Sequence, residues 1–174
     1  MKNLKDPKIL TVAALFTGLG IALGLFKIPL TPLIEIRLGS LPVCLAGAYF
    51  GPGVGAVVGA LVDIGGFVVK PTGPYFPGFT ISGIISGIIF GSMMYGKKPT
   101  LLRLFITQVV YTVIVGILLN SLWLSMLYME GGYIAVILAR LPKEIVMMFV
   151  NTGILFAVIK SLEGVRIGEL AHNE

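Results

Sequence analysis

The chain has 174 residues, of which 56% are hydrophobic and only 12% are charged, whereas about a quarter of the residues in soluble domains are charged. This composition excludes a separate aqueous catalytic module and predicts a single membrane domain, residues 1–174, with lipid as its solvent. The formal net charge of +5 does not indicate a nucleic-acid binder, because the cations lie at the ends of apolar runs, as membrane topology requires.

Six apolar segments follow one another along the chain, separated by stretches rich in Gly, Pro and Lys. The first has about twenty residues, enough to span a bilayer, so we interpret it as a helix rather than a cleavable signal peptide. The second is short, and together with the third it could form one kinked helix or two spans that meet at Gly51, Pro52 and Gly53. The predicted segments are 10–28, 40–50, 53–69, 79–95, 101–127 and 133–160.

The distribution of positive charge favours six spans. With a cytoplasmic N-terminus, six spans place eight cations at cytoplasmic ends, whereas five spans would place five of these outside. The sequence therefore predicts an all-α membrane protein, a bundle of six transmembrane helices in the cell membrane, with both termini cytoplasmic and external loops at 27–37, 70–78 and 126–132. The eight cations are Lys2, Lys5, Lys8, Lys97, Lys98, Arg103, Lys160 and Arg166.

Small residues recur at every fourth position in three segments, which keeps them on one helical face where backbones can approach closely. For the third and fourth segments we favour packing between helices of this chain. For the first segment, a docking face for a partner membrane protein is also plausible. The three sets are Ala14, Gly18 and Ala22; Gly51, Gly55 and Gly59; and Gly83, Gly87 and Gly91.

The motifs of common enzymes are missing from the sequence. There is no H-E-x-x-H and no G-x-S-x-G, and the only histidine, His172, lies in the polar tail. The run at 91–98 approaches a phosphate-binding loop but lacks the closing Ser or Thr and ends a helix. The single cysteine, Cys44, is interpreted as a small apolar filler. We therefore predict no enzyme activity, no metal and no cofactor, and any ATP used would be hydrolysed by another subunit.

Charged residues inside spans are costly unless they find a partner or a wet cavity, so each is a candidate site. Asp63 extends the Gly55 and Gly59 face by four residues, and it would either contact a ligand or pair with Arg37, Arg140 or Lys143. Arg140 can pair with Glu144 at i+4, which would leave Lys143 to attract an anion together with part of the Arg140 guanidinium. Long side chains that reach the interface are the alternative for Lys143.

Aromatic residues gather near the predicted outer ends of the helices. The loop 71–83 has three prolines and three glycines around Tyr75, Phe76 and Phe79, which predicts a stiff aromatic flap suited to a planar heterocycle. Asn120 and Trp123 lie one turn apart and would place an amide beside a stacking surface. The alternatives are an aromatic belt at the membrane surface for the loop and a bridge between two helices for Asn120.

These residues resemble the substrate-binding membrane subunits, or S components, of energy-coupling-factor vitamin transporters, and most closely the folate-specific branch. The resemblance runs from LTVAALFTGLGIAL through RLGSLPVCLAGAYFGPGVGAVVGALVDIGG, PTGPYFPGFTISG and LNSLWLSMLY to LARLPKEIVM. It implies a vitamin site open to the exterior, a transmembrane coupling protein and two cytoplasmic ATPase subunits as partners, and toppling of the loaded subunit. It also implies docking through Ala14 and Gly18, which match the family's Ala-x-x-x-Ala pattern imperfectly.

A folate-like ligand would then be held in two parts, with Trp123, Tyr75, Phe76 and Phe79 walling its ring system. Asp63 and Asn120 would hydrogen-bond the pterin edge, and the cations Arg37, Arg140 and Lys143 would face the glutamate carboxylates; the two ends could be interchanged. The alternatives are another vitamin, pantothenate or riboflavin, or a stand-alone proton-coupled carrier.

Overall fold

The computed structural model describes residues 6–25, 28–31, 34–36, 39–71, 73–128 and 132–162. Within these ranges the chain is a helical bundle with one small hairpin. Its elements in chain order are α1 Pro7–Leu25, β1 Ile28–Thr31, β2 Ile34–Ile36, α2 Ser40–Phe50, α3 Pro52–Val69, α4 Pro77–Met94, α5 Leu101–Tyr111, a π-helix at Thr112–Leu119, α6 Asn120–Tyr128 and α7 Gly132–Leu162.

All six predicted apolar segments form helices. Five continuous helices are long and apolar enough to cross a membrane, and the fifth predicted segment is one of them, built from α5, the π-helix and α6. The second, α2, has only 11 residues, and most of its side chains are buried among the other helices. This burial agrees with the expectation that so short a helix is shielded by protein. The chain is therefore a membrane protein built as a helical bundle.

The second and third segments are two helices and not one kinked helix. They are separated at Gly51, whose φ of +88° lies in the region that favours glycine. Pro52 then opens α3, where its fixed φ suits the first turn and its missing N–H is not required. This one-residue break turns the chain sharply enough for α2 and α3 to pack side by side.

A two-stranded antiparallel hairpin, β1 with β2, follows α1 and was not predicted from the sequence. Ile28 is opposite Ile36 and Pro29 is opposite Glu35, and an irregularity follows Pro29 in the register. The sequence analysis assigned this stretch to an external loop. The stretch contains two prolines, which argue against a strand. Its strands are also too short to show a clear alternation of apolar residues.

Glycines hold α2, α3 and α4 together. A Cβ built on Gly55 would lie 2.7 Å from the carbonyl oxygen of Gly87 and 2.7 Å from Cα of Gly47. One built on Gly59 would overlap the carbonyl group of Gly83. The absent side chains allow the helix backbones to touch, so the prediction of internal packing for the third and fourth segments is confirmed.

A pair of matched substitutions in α3 tests this packing. Gly59→Ala is expected to lower the thermal unfolding midpoint by about 5 °C, because overpacking a close contact costs roughly 2 kcal/mol. Gly66→Ala on the same helix meets nothing within 4 Å, so it should leave the midpoint unchanged or raise it through better helix propensity. Equal midpoints for the two variants in detergent would contradict the glycine contact.

The first helix presents its small-residue face outward. Ala14, Gly18 and Ala22 are all exposed, and a Cβ built on Gly18 would meet nothing within 4 Å. The opposite face of α1 packs against α3, where Gly20 contacts Val62. The structure thus leaves this face of α1 uncovered by the described part of the chain.

Candidate functional site

An aromatic group surrounds the start of α4. Phe76 immediately precedes this helix, and its ring centroid lies 6.1 Å from that of Phe79 and 5.6 Å from that of Trp123 on α6. Gly78 makes the approach possible, since a Cβ there would lie 2.5 Å from the Trp123 indole and would also overlap the Phe76 ring. Phe76, Phe79 and Trp123 therefore meet as the sequence analysis proposed, and Gly78 is a supporting residue that it missed.

A hydrogen bond fixes the orientation of the Trp123 indole. Its Nε1 donates to Oγ of Ser82 at 3.1 Å, and Ser82 is buried one turn beyond Gly78 on α4. The indole is partly buried, so its N–H would otherwise need water as a partner. This bond leaves the ring face, rather than the N–H, as the part of Trp123 available to a ligand.

Asp63 is linked to the loop before α4 through two hydroxyl groups. Thr80 donates through Oγ1 to Oδ2 of Asp63 at 2.6 Å, and its Oγ1 lies 2.7 Å from the hydroxyl of Tyr75. Because the one proton of Thr80 goes to the carboxylate, Tyr75 is the donor in the second bond. The Tyr75 ring also packs on Phe67, with centroids 5.1 Å apart. The structure thus ties the loop before α4 to the outer part of α3.

The second part of the candidate site is a charged trio on α7. Arg140 donates to Oε1 of Glu144 at 2.8 Å, which confirms the predicted i, i+4 pair, and both residues are buried. Lys143 does not stand apart as expected, since its Nζ lies 3.2 Å from the same oxygen. Two cations thus share one carboxylate, and the trio carries a formal charge of +1.

The π-helix brings the fifth span against this trio. A Cβ on Gly116 would lie 2.6 Å from Oε2 of Glu144, so the carboxylate rests on the helix where no side chain intervenes. Eight residues of π-helix are unusual, and such segments are often found at functional sites. Neither Gly116 nor the π-helix was predicted from the sequence.

Asn120 lies between the two groups along the fifth span. It is one turn beyond Gly116, which contacts the trio, and about one turn before Trp123, which contacts the aromatic group. Its buried Oδ1 accepts no hydrogen bond in the described structure, and the buried Nε–H of Arg140 donates none. An unsatisfied buried polar atom costs roughly 1–3 kcal/mol, so each is a natural point for a ligand or a water molecule.

Arg37, the remaining predicted site residue, lies outside the described residues. The other eight are three members of the aromatic group, the pair Asp63 and Tyr75 joined through Thr80, the two cations of the charged trio, and Asn120. Gly116 and Trp123 are seven residues apart, which corresponds to about 10 Å along a helix axis. The fifth span thus contacts a flat aromatic surface and a net positive cluster, the two features that would recognise a flat ring system and a negative charge.

Two named relatives match three quarters or more of the chain. A family model for the ECF transporter substrate-specific component matches residues 8–159. A folate transporter FolT of Clostridium novyi (strain NT) is 32% identical over 165 residues, covering 94% of this chain and 95% of the relative. A folate transporter FolT of Leuconostoc mesenteroides subsp. mesenteroides is 26% identical over 137 residues, covering 75% and 74% of the two chains.

Solved structures show the same fold. A crystal structure of FolT bound with folic acid superposes with a TM-score of 0.80 at 26% identity, covering 88% of this chain and 93% of that one. The S component of a bacterial ECF transporter gives a TM-score of 0.70 at 17% identity, with 90% and 96% covered, and supports the fold alone. Since the family model spans most of the chain, this protein belongs to the family of ECF transporter substrate-specific components.

Proposed function

We propose that this protein is a high-affinity folate-binding S component that captures folate outside the cell for ATP-driven uptake. The relatives named folate transporter and the structural neighbour bound with folic acid support the choice of ligand. The observation that carries the proposal is the position of Asn120, whose amide oxygen has no hydrogen-bond partner in the described structure and which lies between an aromatic group and a net positive trio. Folate has a flat ring system at one end and carboxylates at the other, which matches this order.

The pterin and benzoate rings would bind at the aromatic group. Phe76 and Trp123 have ring centroids 5.6 Å apart, whereas a ring stacked between them needs about 7 Å, or two contact distances of roughly 3.5 Å. The ligand therefore either stacks on the free face of Trp123 or displaces Phe76. Displacement is feasible because Phe76 belongs to the loop that precedes α4 rather than to a helix. Asp63 and Asn120 would accept hydrogen bonds from the amino group and ring N–H of the pterin.

The glutamate carboxylates would bind at the charged trio, where the two positive charges of Arg140 and Lys143 exceed the one negative charge of Glu144. The Nε–H of Arg140 has no acceptor in the described structure, so it can donate to a ligand. An incoming carboxylate would thus gain charge-assisted hydrogen bonds without breaking the existing pair. Arg37 is proposed to add a further cation from the same external side.

The bundle would lie in the prokaryotic cell membrane with six spans and cytoplasmic termini. Successive helices alternate in direction, so Lys8, Lys97, Lys98, Arg103 and Lys160 fall at one end of the bundle and the proposed site falls towards the other. Positive charge collects on the cytoplasmic side of membrane proteins. This asymmetry supports a site that opens to the exterior.

The proposed partners are a transmembrane coupling protein and two ATPase subunits, and docking would use the exposed face of Ala14, Gly18 and Ala22. Ala14→Trp is expected to leave folate binding intact, measured by calorimetry, and to reduce uptake at least about tenfold in proteoliposomes that contain the whole transporter, because an indole prevents close helix contact. Val146→Trp, at a side chain of α7 that is 60% exposed, is the matched control and should transport normally. Normal uptake by the Ala14 variant would refute the docking face.

Fluorescence of Trp123 gives the test of ligand identity, because it is the only tryptophan in the chain. Micromolar folate should quench the Trp123 fluorescence of the purified protein. Pantothenate and riboflavin at the same concentration should cause no saturable quenching. Saturable quenching by one of those vitamins and none by folate would show that the ligand is that vitamin and not folate. Uptake by this chain alone in liposomes would instead indicate a stand-alone carrier.

A further inference from the structure

A second groove lies at the opposite end of the bundle, where α4 ends and α5 begins. Its volume is about 330 Å³, and its lining combines polar with apolar side chains, namely Met93, Lys97, Thr100, Leu102, Arg103 and Ile106. The 18 residues of α4 separate it from the aromatic group by about 27 Å along the helix. The groove therefore belongs to neither part of the folate site.

The polar wall of the groove is rich in donors for an anion. Lys97 and Arg103 donate to backbone carbonyl oxygens, with Nζ of Lys97 3.4 Å from Ser92 O and NH1 of Arg103 2.8 Å from Lys98 O. Neither cation forms an ion pair with a carboxylate in the described part of the chain. Thr100 caps α5 by accepting from the N–H of Arg103, which leaves its hydroxyl proton to be donated. The positive end of the α5 dipole adds to this potential.

The apolar wall continues from the groove along the outside of the bundle. Leu102 and Ile106 are one turn apart on α5 and are 69% and 46% exposed. They lie on a helix that is part of a membrane-length span, so the surface beyond the donors faces acyl chains. A small hydrated anion would use the donors and leave this wall unused.

We propose that this groove is a binding site for an anionic phospholipid. The phosphate lies between Lys97, Arg103 and the Thr100 hydroxyl, and an acyl chain follows Leu102 and Ile106. Phosphate suits a guanidinium and an ammonium at head-group level, and basic pockets between transmembrane helices on the cytoplasmic side are known to hold anionic head groups. Both the charge and the apolar continuation of the groove select a lipid over a free anion.

The test measures lipid selectivity of the full-length protein in bilayers. The chain is reconstituted in phosphatidylcholine containing spin-labelled phosphatidylglycerol or spin-labelled phosphatidylcholine, and the motionally restricted fraction gives the relative association constant of the two. The wild type should prefer phosphatidylglycerol. Lys97→Gln with Arg103→Gln should reduce that preference at least fivefold, about the contribution of one cation near anionic lipid.

A matched variant separates a built site from diffuse attraction. Lys8→Gln with Lys160→Gln removes the same charge from exposed positions at the same end of the bundle and should keep most of the preference, as should Lys97→Arg with Arg103→Lys. Equal losses in the two neutral variants, or no preference in the wild type, would overturn the proposal. So would displacement of the labelled lipid by 10 mM inorganic phosphate. Circular dichroism and gel filtration verify that each variant is folded.

Discussion

Arg140→Ala is expected to weaken folate binding about 30-fold or more and to weaken pteroate, which lacks the glutamate, by less than about threefold. Truncating one member of a buried charge pair costs roughly 2–5 kcal/mol when a ligand charge depends on it. Without Arg140 the trio has no net charge, because Lys143 and Glu144 balance each other. Calorimetric titration of both ligands into wild type and variant provides the comparison.

Two controls separate a direct role of Arg140 from a general effect of charge or stability. Lys70→Ala removes an exposed cation outside the trio and should change neither affinity by more than about twofold, since exposed charges are well screened. Arg140→Ala also leaves Glu144 with one partner fewer, which could destabilise the bundle. Retained pteroate binding shows that the bundle is still folded. Equal losses for folate and pteroate would remove Arg140 from the carboxylate site.

Trp123→Ala should show the complementary pattern, weakening folate and pteroate equally, by about tenfold. Stacking of a flat heterocycle on an aromatic side chain contributes roughly 1–3 kcal/mol, and both ligands carry the same rings. Trp123→Phe keeps a stacking surface, so it should lose less than about threefold. Calorimetry or retention of labelled ligand is needed here, because the fluorescent residue is removed.

The two substitutions together show which end of the ligand lies where. If Trp123→Ala weakened folate and left pteroate unchanged, the indole would contact the glutamate end, and the proposed order would be reversed. Ser82→Ala provides a milder test of the same group, because it removes the hydrogen bond that orients the indole. It should reduce both affinities by about threefold, close to the net contribution of one hydrogen bond.

The helices were predictable because a lipid environment requires long apolar segments, and in this chain Gly, Pro and Lys residues separate one segment from the next. Contacts within a helix were predictable for a similar reason. Arg140 and Glu144 are four residues apart, so helical periodicity alone places them together. The glycine faces of α3 and α4 follow the same periodicity, and the structure shows them in contact.

Contacts between distant parts of the chain were not predictable in this way. Trp123 donates a hydrogen bond to Ser82, 41 positions earlier in the sequence, and Thr80 donates one to Asp63, 17 positions earlier. No local sequence pattern predicts either pairing. Gly78 and Gly116 differ from other glycines only in what packs against them, the Trp123 indole and the Glu144 carboxylate. The π-helix depends on a shift in backbone hydrogen bonding within an ordinary apolar run.

The most direct measurement is the structure of this protein with folate bound. The account predicts a ring of the pterin or benzoate within about 4 Å of the Trp123 indole, the distance of an ordinary apolar contact. It also predicts a glutamate carboxylate within ion-pair distance of Arg140 or Lys143, with the Arg140–Glu144 pair retained. Folate bound away from both groups, or bound with its glutamate at Trp123, would contradict the account.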